Sequence, residues 1–192
     1  MLFAGRHIPE KQASAIPAAV ARVRQRLPDV RASILGDGPD RSLVMRLVSE
    51  LGLEGAVDVP GFVATETVSE LMSRALCLLL PSRREGYGLV VIEAAAHGTP
   101  SVVVDGPDNA AVELIEPGEN GFIAASVSPE DVAAAILRVN EAGQELRRST
   151  AAWFARNAQR LSLAHSVDLV LSSYGHLASE LDPAPGGRSP SL

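Results

Sequence analysis

Residues 81–93 read PSRREGYGLVVIE, and this stretch determines where the chain passes from strand to helix. An apolar strand is predicted to end at Leu80, and a helix is predicted to begin near Leu89. The Gly-Tyr-Gly turn between them therefore lies at the carboxyl end of a strand, beside the first N–H groups of a helix. Those N–H groups and the helix dipole favour an anion. The stretch predicts an α/β unit with an anion site at the edge of its sheet.

Two carboxylates flank this anion site. Glu85 comes just before the glycines, and Glu93 stands on the second turn of the predicted helix. Carboxylates repel phosphate, but they accept hydrogen bonds from hydroxyl groups. A phosphate with sugar hydroxyls on both sides describes a nucleotide-sugar. The apolar residues around Glu93 also predict a largely buried helix, in which a carboxylate without a partner would be costly.

Short apolar runs alternate with helical patterns along the chain, which predicts a parallel sheet covered by helices on both faces. The predicted fold class is a three-layer α/β/α domain with about six strands and trailing carboxy-terminal helices. The predicted strands are Leu2–Ala4, Ala32–Leu35, Val57–Val59, Cys77–Leu80, Ser101–Val104 and Gly121–Ile123. The predicted helices are Pro17–Arg26, Arg41–Leu51, Thr67–Arg74, Leu89–His97 and Pro129–Asn140.

A helical pattern without strands continues from residue 144 to residue 181, so we expect one domain over residues 1–181. Residues 182–192 are rich in Pro, Gly and Ser, a composition that predicts a disordered tail. At the start of the last predicted helix, Ser128 is a natural N-cap and Pro129 suits the first helical position.

Composition narrows the function classes. The chain has 192 residues, of which 46% are hydrophobic and 21% charged, as expected of a globular domain. A net charge of -6 argues against a nucleic-acid partner. The single cysteine, Cys77, excludes a disulfide framework and is predicted to be a small buried hydrophobe. No signal peptide and no apolar stretch of about 20 residues is found, which predicts a cytoplasmic protein.

Six short motifs follow one another in the order of a known family. The motifs are Gly5-Arg6-x4-Lys11, Ile34-Leu35-Gly36-Asp37-Gly38-Pro39, Val59-Pro60-Gly61-Phe62-Val63, Pro81-Ser82-x2-Glu85-Gly86-Tyr87-Gly88-Leu89-x3-Glu93-Ala94, Gly98-x-Pro100 and Glu113-x7-Gly121. They resemble the carboxy-terminal, donor-binding domain of a retaining glycosyltransferase of the GT-B fold, family 4, and the resemblance implies that this domain is Rossmann-like. The resemblance covers residues 2–140.

The resemblance implies one half of a GT-B enzyme, a hexosyltransferase. Its donor would be a nucleoside-diphosphate sugar, linked to UDP or GDP. The acceptor, a saccharide, a lipid or a small molecule, would bind a separate amino-terminal domain that this chain does not contain. The family transfers the sugar with retention, in the cleft between the two domains, and requires neither a divalent metal nor a cofactor.

The resemblance also implies roles for individual residues. Arg6 and Lys11, the only lysine, match the pair that neutralises the donor diphosphate. Glu93 matches the carboxylate that binds the ribose hydroxyls, and Glu85 matches the residue that positions the sugar beside the reacting carbon. The remaining predicted contacts are mainly through backbone groups. They come from the base loop at Gly61 and Phe62 and from the turn at Gly86, Tyr87, Gly88 and Leu89.

Alternatives remain open at this point. The chain could be an isolated donor domain, a shortened reading frame, or one half of a two-chain enzyme whose partner carries the amino-terminal half. A non-catalytic nucleotide-sugar binding module, or a truncated inactive fragment, is the competing function. Peripheral association with a membrane is compatible with either. A dinucleotide site at Gly36-Asp37-Gly38 is disfavoured, because position 41 holds Arg where the fingerprint requires a third glycine.

Overall fold

The central sheet of this protein has six strands that all run parallel. The computed structural model describes residues 1–161 of the chain. The predicted Rossmann-like α/β fold class is confirmed, and the strand order is β3-β2-β1-β4-β6-β8. These strands are β1 (Leu2–Ala4), β2 (Ala32–Leu35), β3 (Val57–Gly61), β4 (Leu78–Leu80), β6 (Ser101–Val104) and β8 (Gly121–Ala124).

A second, two-stranded ladder was not predicted. In it β5 (Arg84–Glu85) pairs in parallel with β7 (Asp108–Asn109). Each strand follows shortly after a strand of the main sheet, β4 and β6 respectively. The ladder therefore ties together two loops at the carboxyl edge of that sheet.

The helices lie close to their predicted positions. They are α1 (Ile16–Arg24), α2 (Arg41–Glu50), α3 (Thr65–Arg74), α4 (Leu89–Ala96) and α5 (Pro129–Asn157), with short 3-10 helices at Ala13–Ala15 and Ala110–Leu114.

Helix α5 contains the break that the sequence predicts between a helix ending at Asn140 and a further helical pattern from residue 144. It continues to Asn157 across a kink at Gly143, whose φ of 56° and ψ of -137° are not helical. The expected N-cap is present, since the Ser128 hydroxyl accepts a hydrogen bond from the Asp131 N–H at 3.2 Å.

Alternate residues of the strands pack on opposite faces of the sheet, as the two-residue period of a strand requires. Phe3, Leu79 and Val102 join a core cluster with residues of α1, α2 and α5. Their neighbours Leu2 and Leu78 are equally buried but stand outside that cluster, on the face where α3 contacts β1 and α4 contacts β4. Helices therefore cover both faces, which explains why the strands are continuous apolar runs.

Cys77 immediately precedes β4 and is fully buried, as predicted. Burial raises the pKa of its thiol to about 12. The side chain is therefore a neutral part of the core and not a reactive thiolate.

The chain divides into a unit of Met1–Ala155 and a second unit that begins at Arg156. Of the second unit the structure describes residues 156–161. The remainder of the predicted trailing helices and the predicted tail at residues 182–192 lie outside the described residues. The boundary at residue 181 remains a prediction.

Candidate functional site

The order of the strands reverses between β1 and β4, and this switch point positions the site. From β1 the chain adds β2 and β3 on one side, and later β4, β6 and β8 on the other. In open α/β sheets of this kind, ligands bind in the crevice at the carboxyl ends of the strands next to the reversal. Here the crevice lies between the loop after β1 and the loop after β4.

The loops that follow β1, β2 and β3 are held together through their backbones. The Gly5 N–H donates to the Leu35 carbonyl at 3.3 Å, and the His7 N–H donates to the Asp37 carbonyl at 2.9 Å. A Cβ on Gly36, which has a φ of 105°, would lie 2.0 Å from the Gly5 carbonyl oxygen. Gly36 is therefore required for packing between loops, and this explains the Gly-x-Gly pattern without a dinucleotide site.

Lys11 and Glu85, from opposite sides of the crevice, form an ion pair. The Lys11 ammonium donates to the Glu85 carboxylate oxygen Oε2, and both side chains are mostly buried, with 19% and 13% exposed. The Glu10 carbonyl also accepts from the Arg83 N–H at 2.8 Å. The two loops are thus joined by a charge pair and a backbone hydrogen bond.

The amino terminus of α4 opens into the same crevice. Gly88 is its N-cap residue, in the left-handed conformation with a φ of 86°, and no side chain caps the helix. The first N–H groups of a helix have no partner within it. They are available to an anion here, as the sequence of the Gly-Tyr-Gly turn predicts.

A cleft of about 350 Å³ lies between the two loops. Its walls include Lys11, Glu85 and Gly86–Leu89, which were predicted from sequence. A second hollow of about 250 Å³ is lined by Arg6, Phe62 and Val63. Both hollows are lined by Ala4 and Gly5, so they adjoin each other at the carboxyl edge of the sheet, and together they are called the groove.

Three further predicted residues can be placed beside this groove. Arg6 is exposed, Phe62 is 80% exposed, and Gly61 is buried at the end of β3 with a φ of 86°. The Gly61 carbonyl accepts from the Gly36 N–H at 2.8 Å, which fixes the base of the loop that carries Phe62. The exposed aromatic ring is available for a ligand.

Glu93, like Gly61, is a predicted site residue that lines neither hollow. It is exposed on α4, so the expectation that it stands on a largely buried helix is wrong. Only part of α4 is buried. Val91 and Ala94 are buried, whereas the apolar residue Leu89 is exposed. Glu93 follows Leu89 by four residues and therefore shares its side of the helix, one turn below the groove.

Two buried polar residues near Glu85 were not predicted as functional. The Ser82 hydroxyl donates to Glu85 Oε2 at 3.3 Å, and the Asn109 amide donates to the Ser82 carbonyl at 3.0 Å. Both follow buried strands of the sheet, Ser82 after β4 and Asn109 after β6. A polar residue soon after an apolar strand is the signal that could have identified them.

His7 is a buried titratable residue behind the groove. Its side chain is fully buried, and its ring meets Phe3 edge to face at 5.8 Å. Neither ring nitrogen has a hydrogen-bond partner of good geometry. Burial lowers the pKa of His7, while the nearby Leu35 carbonyl opposes this by favouring the protonated ring. The neutral imidazole is therefore the form that the fold accommodates.

These features define a class of protein: a Rossmann-like α/β domain with a groove at the switch point of its sheet. The family model described as glycosyl transferases group 1 matches residues 1–161. The chain belongs to this family.

Related proteins are considerably longer than this chain. An exopolysaccharide phosphotransferase of Streptomyces coelicolor is 32% identical over 92% of this chain and 18% of its own length. A D-inositol 3-phosphate glycosyltransferase of Nocardioides is 30% identical over 96% of this chain and 43% of its own length. The chain thus spans less than half of each of these relatives.

A solved structure of HepE from Anabaena in complex with UDP and glucose has the same fold. Its TM-score is 0.76 at 26% identity, and the match covers 91% of this chain and 47% of HepE. Within residues 1–161 no helix is both long and apolar enough to cross a membrane.

Proposed function

We propose that this chain is the carboxy-terminal, donor-binding part of a retaining GT-B glycosyltransferase of family 4. It binds a UDP-linked hexose, which the complete enzyme transfers to an acceptor bound by an amino-terminal domain. The observation that carries the proposal is the groove itself. It places Lys11, Glu85 and the uncapped start of α4 around one space at the switch point.

The groove is divided as a nucleotide-sugar requires. The hollow at Phe62 and Val63 is largely apolar and suits a base and its ribose. The shared floor at Ala4 and Gly5 has little side-chain bulk, which suits the diphosphate. The larger hollow suits the sugar, because Glu85 can accept hydrogen bonds from its hydroxyls.

Cations would stabilise the leaving group. When the bond between the anomeric carbon and the β-phosphate oxygen breaks, its electron pair leaves with the diphosphate. Arg6, Lys11 and the N–H groups of α4 would stabilise that negative charge. The acceptor hydroxyl oxygen would bond to the anomeric carbon on the same face and pass its proton to the departing phosphate oxygen. This sequence retains the configuration and needs no metal.

The Lys11–Glu85 pair is compatible with this role. An ammonium group has three donors, so Lys11 can hold Glu85 Oε2 and still donate to a phosphate oxygen. The pair also keeps the Glu85 charge neutralised while the groove contains no donor. Glu85 would then position the sugar and stabilise positive charge at the anomeric carbon.

UDP is the nucleotide we propose, because HepE, at 26% identity, is described in complex with UDP. The test is a thermal-shift titration with UDP, GDP, ADP and inorganic phosphate. Wild type should be stabilised by UDP, by about 2.7 kcal/mol at a concentration ~100 times the dissociation constant. Lys11→Ala and Arg6→Ala should each lose most of the shift, because both cations line the groove where the diphosphate is proposed to bind. Arg22→Ala, which alters an exposed arginine on α1, should retain it.

The outcomes separate the candidate functions. No shift with any nucleotide, in a protein shown to be folded, would contradict donor binding. A shift with UDP and with UDP-glucose would leave the non-catalytic binding module as the competitor. That competitor would be ruled out by transfer of glucose when the chain is combined with an amino-terminal acceptor domain.

A further inference from the structure

Asn109 is a buried residue that connects three segments at the carboxyl edge of the sheet. Its side-chain amide donates to the Ser82 carbonyl at 3.0 Å and to the Val104 carbonyl at 2.8 Å. Its Oδ1 accepts from the Ala111 N–H at 3.2 Å. Asn109 is only 3% exposed, so each of these hydrogen bonds is shielded from water.

The same residue faces Glu85 across the short ladder. Asn109 is the register partner of Glu85 in the pairing of β5 with β7. Asn109 therefore fixes both the backbone of Glu85, through the ladder, and the backbone of Ser82, through its amide.

Ser82 continues this chain of contacts to the carboxylate. It is 1% exposed, and its hydroxyl donates to Glu85 Oε2, the oxygen that also accepts from Lys11. No hydrogen bond from the described residues reaches the other oxygen, Oε1. One carboxylate oxygen is thus held by two donors, and the other is left for a ligand.

We propose that Ser82 and Asn109 are positioning residues for Glu85. Asn109 fixes Ser82, and Ser82 together with Lys11 holds Oε2, so that Oε1 is presented to a hydroxyl of the donor sugar. The inference rests on the proposed function, because it requires Glu85 to contact the sugar. It assigns Ser82 and Asn109 to the sugar part of the site and not to the nucleotide part.

A rigid carboxylate binds a hydroxyl more tightly than a mobile one, because less rotamer freedom is lost on binding. Loss of the Ser82 hydroxyl leaves Glu85 held by a single flexible lysine. The effect should appear for ligands that carry the sugar and be absent for the nucleotide alone. A residue with a purely structural role would alter both ligands alike.

The experiment measures dissociation constants by calorimetry for UDP and for UDP-glucose, UDP-galactose and UDP-N-acetylglucosamine. The readout is the dissociation constant of UDP divided by the dissociation constant of the UDP-sugar that wild type binds most tightly. Glu85→Gln sets the scale, since it removes the charge while keeping the shape. Ser82→Ala should lower the ratio about three- to tenfold, the size of effect expected from one hydrogen bond of ordinary strength. UDP itself should bind within about twofold of wild type.

Asn109→Ala should lower the ratio as Ser82→Ala does. Asn120→Ala is its matched control. Asn120 is 2% exposed, donates to the Leu114 carbonyl at 2.7 Å and accepts from the Glu116 N–H at 2.8 Å. It is a comparable buried amide with no contact to Ser82 or Glu85. Asn120→Ala should reduce thermal stability as Asn109→Ala does, yet leave the ratio unchanged.

Several results would overturn the inference. One is an unchanged ratio in Ser82→Ala, measured while Glu85→Gln lowers it. Another is an equal change in Asn109→Ala and Asn120→Ala. If Glu85→Gln itself leaves the ratio unchanged, Glu85 does not contact the sugar and the inference fails with that role. Failure of wild type to bind UDP would contradict the proposed function itself.

Discussion

His7 makes the stability of the folded protein depend on pH. Burial lowers its pKa below the ordinary value of 6.5, and Arg41 acts in the same direction, against the Leu35 carbonyl, Asp37 and Asp40. Below pH 6.5 the folded state therefore holds fewer protons than the unfolded state. The stabilisation from neutral His7 is complete well above pH 6.5 and is lost as the pH falls from 6.5 through the lower pKa of the folded state.

Replacement of His7 by leucine should flatten this dependence. Each proton taken up only by the unfolded state costs at most about 1.4 kcal/mol of stability per pH unit. Urea unfolding of His7→Leu at several values between about pH 7 and 5 should show a smaller loss than wild type. His97→Leu, at an exposed histidine, is the control and should follow wild type. If the unfolding free energies of wild type and His7→Leu changed equally with pH, His7 would take up no proton on unfolding.

At the residue scale, the chemical role of a side chain is easier to predict from the sequence than the contacts that the side chain makes. Lys11 and Glu85 were each predicted from motifs, but their mutual ion pair was not, because 74 residues separate them and the contact depends on strand order. The exposure of Glu93 was missed, since an apolar run does not show which side of a helix faces the core. Asn109 is a residue type common in turns, and its hydrogen bond to the Ser82 carbonyl forms only when β4 and β6 are adjacent.

At the scale of elements, the start of α4 depends on one glycine. Gly88 has a φ of 86°, and a Cβ there would lie 2.7 Å from the Ala111 Cβ. Gly88→Ala should therefore cost about 2–3 kcal/mol of unfolding free energy, from the left-handed backbone and the overpacked contact. Gly86→Ala, in the same turn but with open space around it and no positive φ, should change stability by less than about 0.5 kcal/mol. Urea titrations of both variants measure this, and equal losses would contradict the close approach of α4 to the helix at residues 110–114.

The elements themselves were largely predictable, and their exceptions have physical causes. Buried parallel strands are continuous apolar runs, so each of the six strands was recognised within two residues of its bounds. The ladder of β5 and β7 was missed because two residues are too few to form a periodic pattern. The predicted break between Asn140 and residue 144 is present as a kink at Gly143, because a glycine can adopt the backbone angles of a kink.

At the scale of the whole molecule, parallel strands give the two edges of the sheet different functions. Every loop that follows a strand reaches the carboxyl edge, where the groove lies, and every loop that precedes a strand reaches the opposite edge. This much could be predicted, since an alternating strand and helix pattern implies a parallel sheet. The position of the groove along that edge depends on the strand order, which the motifs alone do not specify.

The two edges should therefore respond differently to a bound nucleotide. In hydrogen exchange measured by mass spectrometry, UDP should slow exchange in segments 5–12, 61–64 and 85–91, which line or adjoin the groove. Segments 51–56, 97–100 and 116–120 precede β3, β6 and β8 at the opposite edge and should be unchanged. Amides that exchange through local opening of the groove should be protected, because UDP binds only to states in which the groove is formed. Inorganic phosphate at equal concentration should reproduce at most the effect at 85–91, since it can occupy the start of α4 but not the base hollow. Equal protection at both edges would show global stabilisation without a localised site, and protection confined to the amino edge would place the nucleotide elsewhere.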